Sequence, residues 1–305
     1  MKTAFLFSGQ GAQRLGMAKD LYDEFAIVKE TFDEASQVLG YDLRELIDND
    51  ETKLNETQYT QPAILTTSVA ILRLLSEKGI KPDLVAGLSL GEYSALVASG
   101  ALDFAEAVAL VAKRGQYMTE AAPAGSGKMV AVMNTDAALI EEVCQKASER
   151  GIVSPANYNT PAQIVIGGQA EAVDYAVELL KEAGAKRLIE LKVSGPFHTA
   201  ILKPASEKLA QELEKIHFNN FKMDLISNTT AQVMPHSEIK ALLTRQVMEP
   251  VRFYESVETM KELGAERFIE VGPGKVLSGF IKKIDKEASF TNVEDRESLD
   301  ALLAE

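Results

Sequence analysis

The amino-acid sequence predicts an α/β protein: a parallel sheet with helices on its faces, interrupted by a small inserted domain. Three observations lead there. Short apolar runs alternate with stretches of three- and four-residue apolar spacing, the rhythm of a chain that goes strand, helix, strand. Over residues 128–193 the order changes to β-α-β-β-α-β, a ferredoxin-like arrangement. Gly125-Ser126-Gly127 and Ser194-Gly195-Pro196 flank that stretch as hinges. The expected division is therefore a larger α/β domain from residues 1–126 and 197–305, with residues 127–196 as a ferredoxin-like insertion.

The elements follow in order. Residues 4–7 form a buried strand that stops at Gly9. Residues 17–39 read as one helix, because Leu21, Phe25, Val28, Phe32, Ala35 and Leu39 share a face. Polar residues 48–56 read as a loop. Residues 61–75 form an apolar helix with Pro62 in its first turn. Leu84-Val85-Ala86-Gly87-Leu88 is a second buried strand, followed by a helix over 90–99. Asp103 caps a further helix reaching Met118. In the insertion, 129–133 is a strand, 136–150 a helix, and 153–167 a pair of strands around Asn157-Tyr158-Asn159-Thr160-Pro161. A helix over 170–183 and a strand over 187–193 close it. A helix over 204–215 and a strand over 267–271, before Gly272-Pro273-Gly274, continue the larger domain.

Composition narrows the function. With 46% apolar and 25% charged residues, the 305-residue chain is a globular protein and not a disordered one. Its net charge of −13 sets it against nucleic acid as a main partner. A single cysteine, Cys144, excludes an internal disulfide. No window reaches the roughly 18 apolar residues of a membrane span, and the N-terminal run is too short for a signal peptide. The expected location is the cytoplasm.

The sharpest motif is Gly87-Leu88-Ser89-Leu90-Gly91, a G-x-S-x-G set between a buried strand and a helix. Glycine at both flanks lets the backbones of a tight strand-to-helix turn approach each other. The turn presents the Ser89 hydroxyl above the sheet, and the Leu90 N–H at the helix N-terminus can donate to an oxyanion. Serine needs a base. Of the three histidines, His217 and His236 lie in polar, helix-end or turn contexts, and His198 at the hinge is the candidate. Arg114 lies in line with Ala107, Leu110, Val111 and Met118, an apolar stripe where a guanidinium must snorkel outward or meet an anion; the plainer reading is a C-terminal helix arginine binding free carbonyls, and the functional one a fork for a substrate carboxylate. Other motifs fail. Arg14 occupies the third glycine position of a dinucleotide loop at Gly9-Gln10-Gly11, and Gly125-Ser126-Gly127-Lys128 is followed by Met129 where a P-loop has Ser or Thr. Cys144, on a helical face with Ile140, reads as core.

Along nearly the whole chain these and further motifs resemble one family, the malonyl-CoA–acyl carrier protein transacylases. The likeness is carried by Phe7-Ser8-Gly9-Gln10-Gly11-Ala12-Gln13, Thr60-Gln61-Pro62-Ala63, Gly87-Leu88-Ser89-Leu90-Gly91-Glu92 and Arg114-Gly115-Gln116-Tyr117-Met118. It continues in Asn157-Tyr158-Asn159-Thr160-Pro161-Ala162-Gln163, Gly195-Pro196-Phe197-His198, Gln246 ahead of Pro250-Val251, and Glu270-Val271-Gly272-Pro273-Gly274.

The resemblance implies a hydrolase-like α/β core and a ping-pong acyl transfer supplying fatty acid synthesis. Ser89 takes the malonyl group from malonyl-CoA with His198 as general base, then passes it to the phosphopantetheine thiol of acyl carrier protein. It implies an oxyanion hole from the backbone N–H groups of Gln10 and Leu90, and a Gln246 carbonyl that orients His198. It assigns Arg114 to the malonyl carboxylate and Gln61, Asn157, Phe197 and Met118 to the substrate pocket. Phenylalanine at 197 goes with malonyl over methylmalonyl, a steric choice worth about 1–3 kcal/mol per methyl group. No resident cofactor or metal is implied. Leu88 departs from the pattern, since many members carry histidine before the nucleophile. Because acyl carrier proteins are acidic, local cations must offset the net charge, and Lys186, Arg187, Lys192, Lys282, Lys283 and Lys286 are the candidates. A serine esterase that delivers the acyl group to water is the rival, although its usual Ser, Asp/Glu, His order does not fit a chain with about a hundred residues after His198.

Overall fold

In a computed structural model that describes residues 1–305, ten strands form two sheets. In chain order the strands are β1 (Lys2–Phe7), β2 (Leu84–Gly87), β3 (Lys128–Met133), β4 (Val153–Thr160) and β5 (Gln163–Gly168). They continue as β6 (Arg187–Glu190), β7 (Asp224–Leu225), β8 (Val251–Arg252), β9 (Ala265–Val271) and β10 (Ser289–Val293). The first sheet runs β10-β9-β1-β2-β7, and every pairing in it is parallel. Strand β1 lies at its centre, in register with β2 from Ala4 opposite Leu84 to Phe7 opposite Gly87. Its side chains alternate between two cores. Phe5 and Phe7 pack with the helices on one face, while Ala4 and Leu6 pack with Phe253, Met260 and Phe268 on the other. A strand buried on both faces reads as a continuous apolar run, as β1 and β2 do.

The second sheet has the order β6-β3-β5-β4-β8. Its first four strands are antiparallel and alternate with the helices Ala137–Ala147 and Ala170–Glu182, the ferredoxin-like arrangement that the sequence predicts. Strand β8 comes from outside residues 127–196 and pairs in parallel with β4, Asn157 opposite Val251 and Tyr158 opposite Arg252. We propose the two units 1–126 with 197–305, and 127–196, in this qualified sense: the smaller unit's sheet takes its last strand from the larger one.

Several elements differ from expectation, each for a local reason. The expected 17–39 helix is two, Lys19–Glu24 and Ala26–Leu39, divided where Phe25 adopts an extended conformation. The expected loop at 48–56 holds the end of one short helix, Leu43–Asn49, and all of another, Glu51–Leu54. Each is capped by an aspartate, Asp42 and Asp50, whose side chain accepts a backbone N–H. The helix expected from 61 begins at Thr57, so Pro62 lies inside it and not in its first turn. Proline has no N–H, and the Gln58 carbonyl loses its helical donor. Polar Thr57 to Thr60 conceal that start, but Thr57 and Thr60 are buried in the fold. In the β4–β5 pair, Asn157 to Thr160 continue the strand, and the turn falls at Pro161-Ala162. Residues 216–266, unassigned from sequence, supply β7, β8 and the helices Ile239–Gln246 and Phe253–Glu262. No helix is long and apolar enough to cross a membrane.

The Phe104–Ala121 helix starts as expected, with the Asp103 carboxylate accepting the Glu106 N–H. Asp103→Ala should lower stability by about 1 kcal/mol, as loss of an N-cap does. The check is urea unfolding, where the midpoint should fall with the slope unchanged.

Candidate active site

Strand β2 ends at Gly87 and the next helix, Gly91–Ala98, begins four residues later. That reversal forces Ser89 to φ +55°, the left-handed region that side chains rarely occupy. The flanking glycines are obligatory. A Cβ on Gly91 would lie 2.1 Å from the Phe7 carbonyl oxygen, and one on Gly87 would lie 2.0 Å from the Gly91 carbonyl carbon. Both obstacles are backbone, so neither can move aside. The Gly9–Gln10 loop is pressed against the same turn, because a Cβ on Gly9 would meet the Leu88 carbonyl oxygen at 2.3 Å.

The Ser89 hydroxyl oxygen lies 2.7 Å from His198 Nε2. His198 comes from the segment after the second sheet, also at positive φ, and is 5% exposed. Its Nδ1 donates to the Gln246 carbonyl at 2.8 Å, which leaves Nε2 as the acceptor facing the hydroxyl. A backbone carbonyl thus stands where a carboxylate would otherwise hold the ring. Burial lowers the His198 pKa to about 4, and the Arg114 charge adds to the effect against the carbonyls of Gln246 and Glu249. The imidazole is neutral and ready to accept a proton at physiological pH.

Arg114, from the Phe104–Ala121 helix, is 1% exposed. It neither snorkels outward nor binds free carbonyls at its helix end. Nη1 donates to Gln61 Oε1 at 2.9 Å and Nη2 to Gln246 Oε1 at 2.8 Å, while Nη2 is 3.4 Å from the Ser89 hydroxyl. The guanidinium lies over the Tyr93 ring, 5.2 Å from its centroid, and Nε has no partner. Burial lowers its pKa. Two neutral amides orient this cation without neutralising it, and an anion beside Ser89 would complete the pairing.

The three groups open into a cavity of 770 Å³, lined also by Gln10, Leu90, Met118, Asn157 and Phe197. The backbone N–H groups of Gln10 and Leu90 donate to no acceptor within the protein, so both are free to bind an oxyanion. Gln61 does not line the cavity. It is fully buried behind Arg114, to which its Oε1 is bonded, and its Nε2 also donates to Met118 Sδ at 3.2 Å. Gln246 is likewise withdrawn from the cavity, but its side chain does more than the sequence suggests: Nε2 donates to the Ser89 carbonyl at 2.8 Å. His217 and His236 are exposed, and His236 Nε2 is 2.8 Å from the Phe218 carbonyl oxygen. Cys144 is buried in the smaller unit, and burial pushes its thiol up to about 12. No group of three or more His, Cys, Asp or Glu is placed to hold a metal.

Two site residues escape a sequence reading. Asn228 Oδ1 accepts the Ser89 N–H at 2.7 Å, and its Nδ2 donates to the Gly87 carbonyl. Glu92, fully buried, accepts the Asn228 backbone N–H at 2.7 Å. Glu92 stands in the elbow motif but has no assigned role there. Asn228 is 139 residues from Ser89 and carries no local signal.

The acyl transferase domain model matches residues 4–299 of the chain. The malonyl CoA-acyl carrier protein transacylase of Bacillus subtilis is 48% identical over 302 residues, 98% of this chain and 95% of its own. A crystal structure of MCAT from Streptococcus pneumoniae superposes with a TM-score of 0.99 at 71% identity, covering 99% of both chains. A structure described as a type II PKS acyl-carrier protein in complex with its malonyl-transacylase matches at a TM-score of 0.96 and 45% identity, over 100% of this chain and 99% of that one. With the motifs spread over both units, these matches place the chain in the acyl transferase family, as a member of its malonyl CoA-acyl carrier protein transacylases.

Proposed function

We propose that the protein transfers the malonyl group from malonyl-CoA to the phosphopantetheine thiol of acyl carrier protein, through a malonyl ester on Ser89. One observation carries this reading. The nucleophile is 2.7 Å from a neutral imidazole and 3.4 Å from a buried guanidinium, so an acyl group bearing its own carboxylate can reach both. In the first half-reaction the Ser89 oxygen attacks the thioester carbonyl while its proton passes to His198 Nε2. The oxyanion rests on the N–H groups of Gln10 and Leu90 until the C–S bond breaks, and the imidazolium returns the proton to the leaving thiolate. In the second, His198 takes the proton of the carrier thiol, the sulfur attacks the ester, and Ser89 recovers its proton. Serine, imidazole and backbone donors account for every step without a resident cofactor.

Arg114 selects for the carboxylate, because an uncharged acyl group leaves its cation unpaired. Asn157, Met118 and Phe197 shape the pocket around the acyl group, and Gln246 orients His198. For the acidic carrier, Lys192 lies at the cavity mouth and is exposed, as are Lys186, Arg187, Lys282, Lys283 and Lys286. A cytoplasmic location is part of the proposal, and the buried, unpaired Cys144 suits a reducing compartment.

Intact-protein mass spectrometry after brief mixing with malonyl-CoA should show one malonyl adduct on the wild type and none on Ser89→Ala. Arg114→Ala should lose about 2–5 kcal/mol of malonyl recognition, ~30-fold or more in loading, and should gain relative preference for acetyl-CoA. An unaltered preference would refute the carboxylate role. Rapid release of malonate without a thiol acceptor would favour the esterase. Because the depressed His198 value sets the basic form, the ascending limb of kcat/KM for an uncharged acyl donor should lie near pH 4, below the ordinary histidine value of 6.5. A stopped-flow pH profile of acetyl transfer measures it.

A further inference from the structure

Glu92 is the one carboxylate enclosed with the nucleophile, and the transfer mechanism gives it no part. It is fully buried, and its hydrogen-bond partners are neutral: the Asn228 N–H at 2.7 Å and Gln246 Nε2 at 3.4 Å. The same Gln246 amide accepts from Arg114 Nη2 at 2.8 Å through its oxygen. A single amide therefore joins a buried cation to a buried carboxylate. Asn228 and Gln246 in turn hold the two backbone groups of the nucleophile, its N–H at 2.7 Å and its carbonyl at 2.8 Å.

When ionised, Glu92 supplies the enclosure's counter-charge to Arg114 at a distance, through Gln246 and without contacting the guanidinium. A substrate carboxylate docked on the guanidinium brings a second anion into the same enclosure, where like charges repel strongly. We propose that Glu92 is a positioning residue that sets affinity for the substrate carboxylate, ionised while it alone balances Arg114 and protonated once that carboxylate arrives. The inference rests on the malonyl reading of the Arg114 pocket. The proton comes from solvent and adds to a carboxylate oxygen, and no other bond changes.

The surroundings leave Arg114 as the governing charge. Tyr93, from the same helix, and His198, beyond Gln246, are the other titratable groups here. Strand β2 carries none, and the ionisable side chain of β1, Lys2, donates to the Leu263 carbonyl elsewhere. On the Thr57–Glu77 helix, Arg73 bonds Thr31 and Glu34, Tyr59 packs on Tyr41, and Glu77 is exposed. Burial raises Glu92 to about 7, against the pull of the Asn228 N–H, Arg114 and Gln246, so the group can change charge in the physiological range.

The sign follows. Below that value Glu92 is already neutral, and malonyl-CoA binds without a proton. Above it, binding must take a proton from solvent, and Kd rises with pH toward about tenfold per unit. Acetyl-CoA, with no carboxylate, shows neither effect. The test is calorimetry of malonyl-CoA binding to the Ser89→Ala enzyme in buffers of different ionisation enthalpy. About one pH unit above the Glu92 value, uptake should approach one proton per site. Uptake should vanish in Ser89→Ala/Glu92→Gln, and the Kd there should become flat with pH. Intact binding with no proton uptake in Ser89→Ala, or uptake that persists after Glu92→Gln, would overturn the proposal. The first of these needs no Glu92 variant to fold. Absence of a malonyl adduct on the wild-type enzyme would instead defeat the functional reading beneath it.

Discussion

The site depends on holding one serine backbone in a conformation it resists. A non-glycine residue in the left-handed region costs on the order of 1–3 kcal/mol and persists only where its surroundings over-determine it. At Ser89 they do. Asn228 takes the N–H, Gln246 takes the carbonyl, Gly87 admits the backbone of Gly91, and Gly91 admits that of Phe7. This constraint aims the hydroxyl at His198 and frees the Leu90 N–H. Gln246 links all parts, with its carbonyl on His198, its amide oxygen on Arg114 and its amide nitrogen on Ser89.

The electrostatics follow from the same enclosure. Burial depresses His198 and Arg114 and raises Glu92, and all three shifts favour the uncharged form. The base gains by this, since a neutral imidazole can accept a proton over the whole physiological range. The arginine is left as a cation tied to neutral amides, which is the condition for recognising an anionic acyl group.

Where sequence and structure agree, the signal is local. The elbow is legible because a strand, a serine between glycines and a helix all fall within a few residues. The two sheets are legible because β1 and β2 are continuous apolar runs and the smaller unit keeps its β-α-β-β-α-β rhythm. His198 is legible by elimination among three histidines, and Arg114 by its position on an apolar stripe. What escapes is carried by long-range contacts. Asn228 meets Ser89 only after folding, Gln61 looks like a pocket residue until it is found behind Arg114, and β7 and β8 are two residues each, too short for any periodicity. The start of the Thr57–Glu77 helix is hidden for a different reason: buried threonines look polar in a sequence.

Strand β8 has a mechanical meaning. It hydrogen-bonds to β4 at Asn157, on the cavity wall, and begins five residues after Gln246, which steadies the imidazole. The smaller sheet is thereby stitched to the larger unit at the cavity itself, beyond its two chain crossings. Swinging that sheet outward as a rigid flap would tear a ladder beside the reactive groups. The pairing therefore opposes any widening of the gap at the cavity wall and helps to keep the geometry around the serine the same whether the bound group arrives on a nucleotide or on a protein.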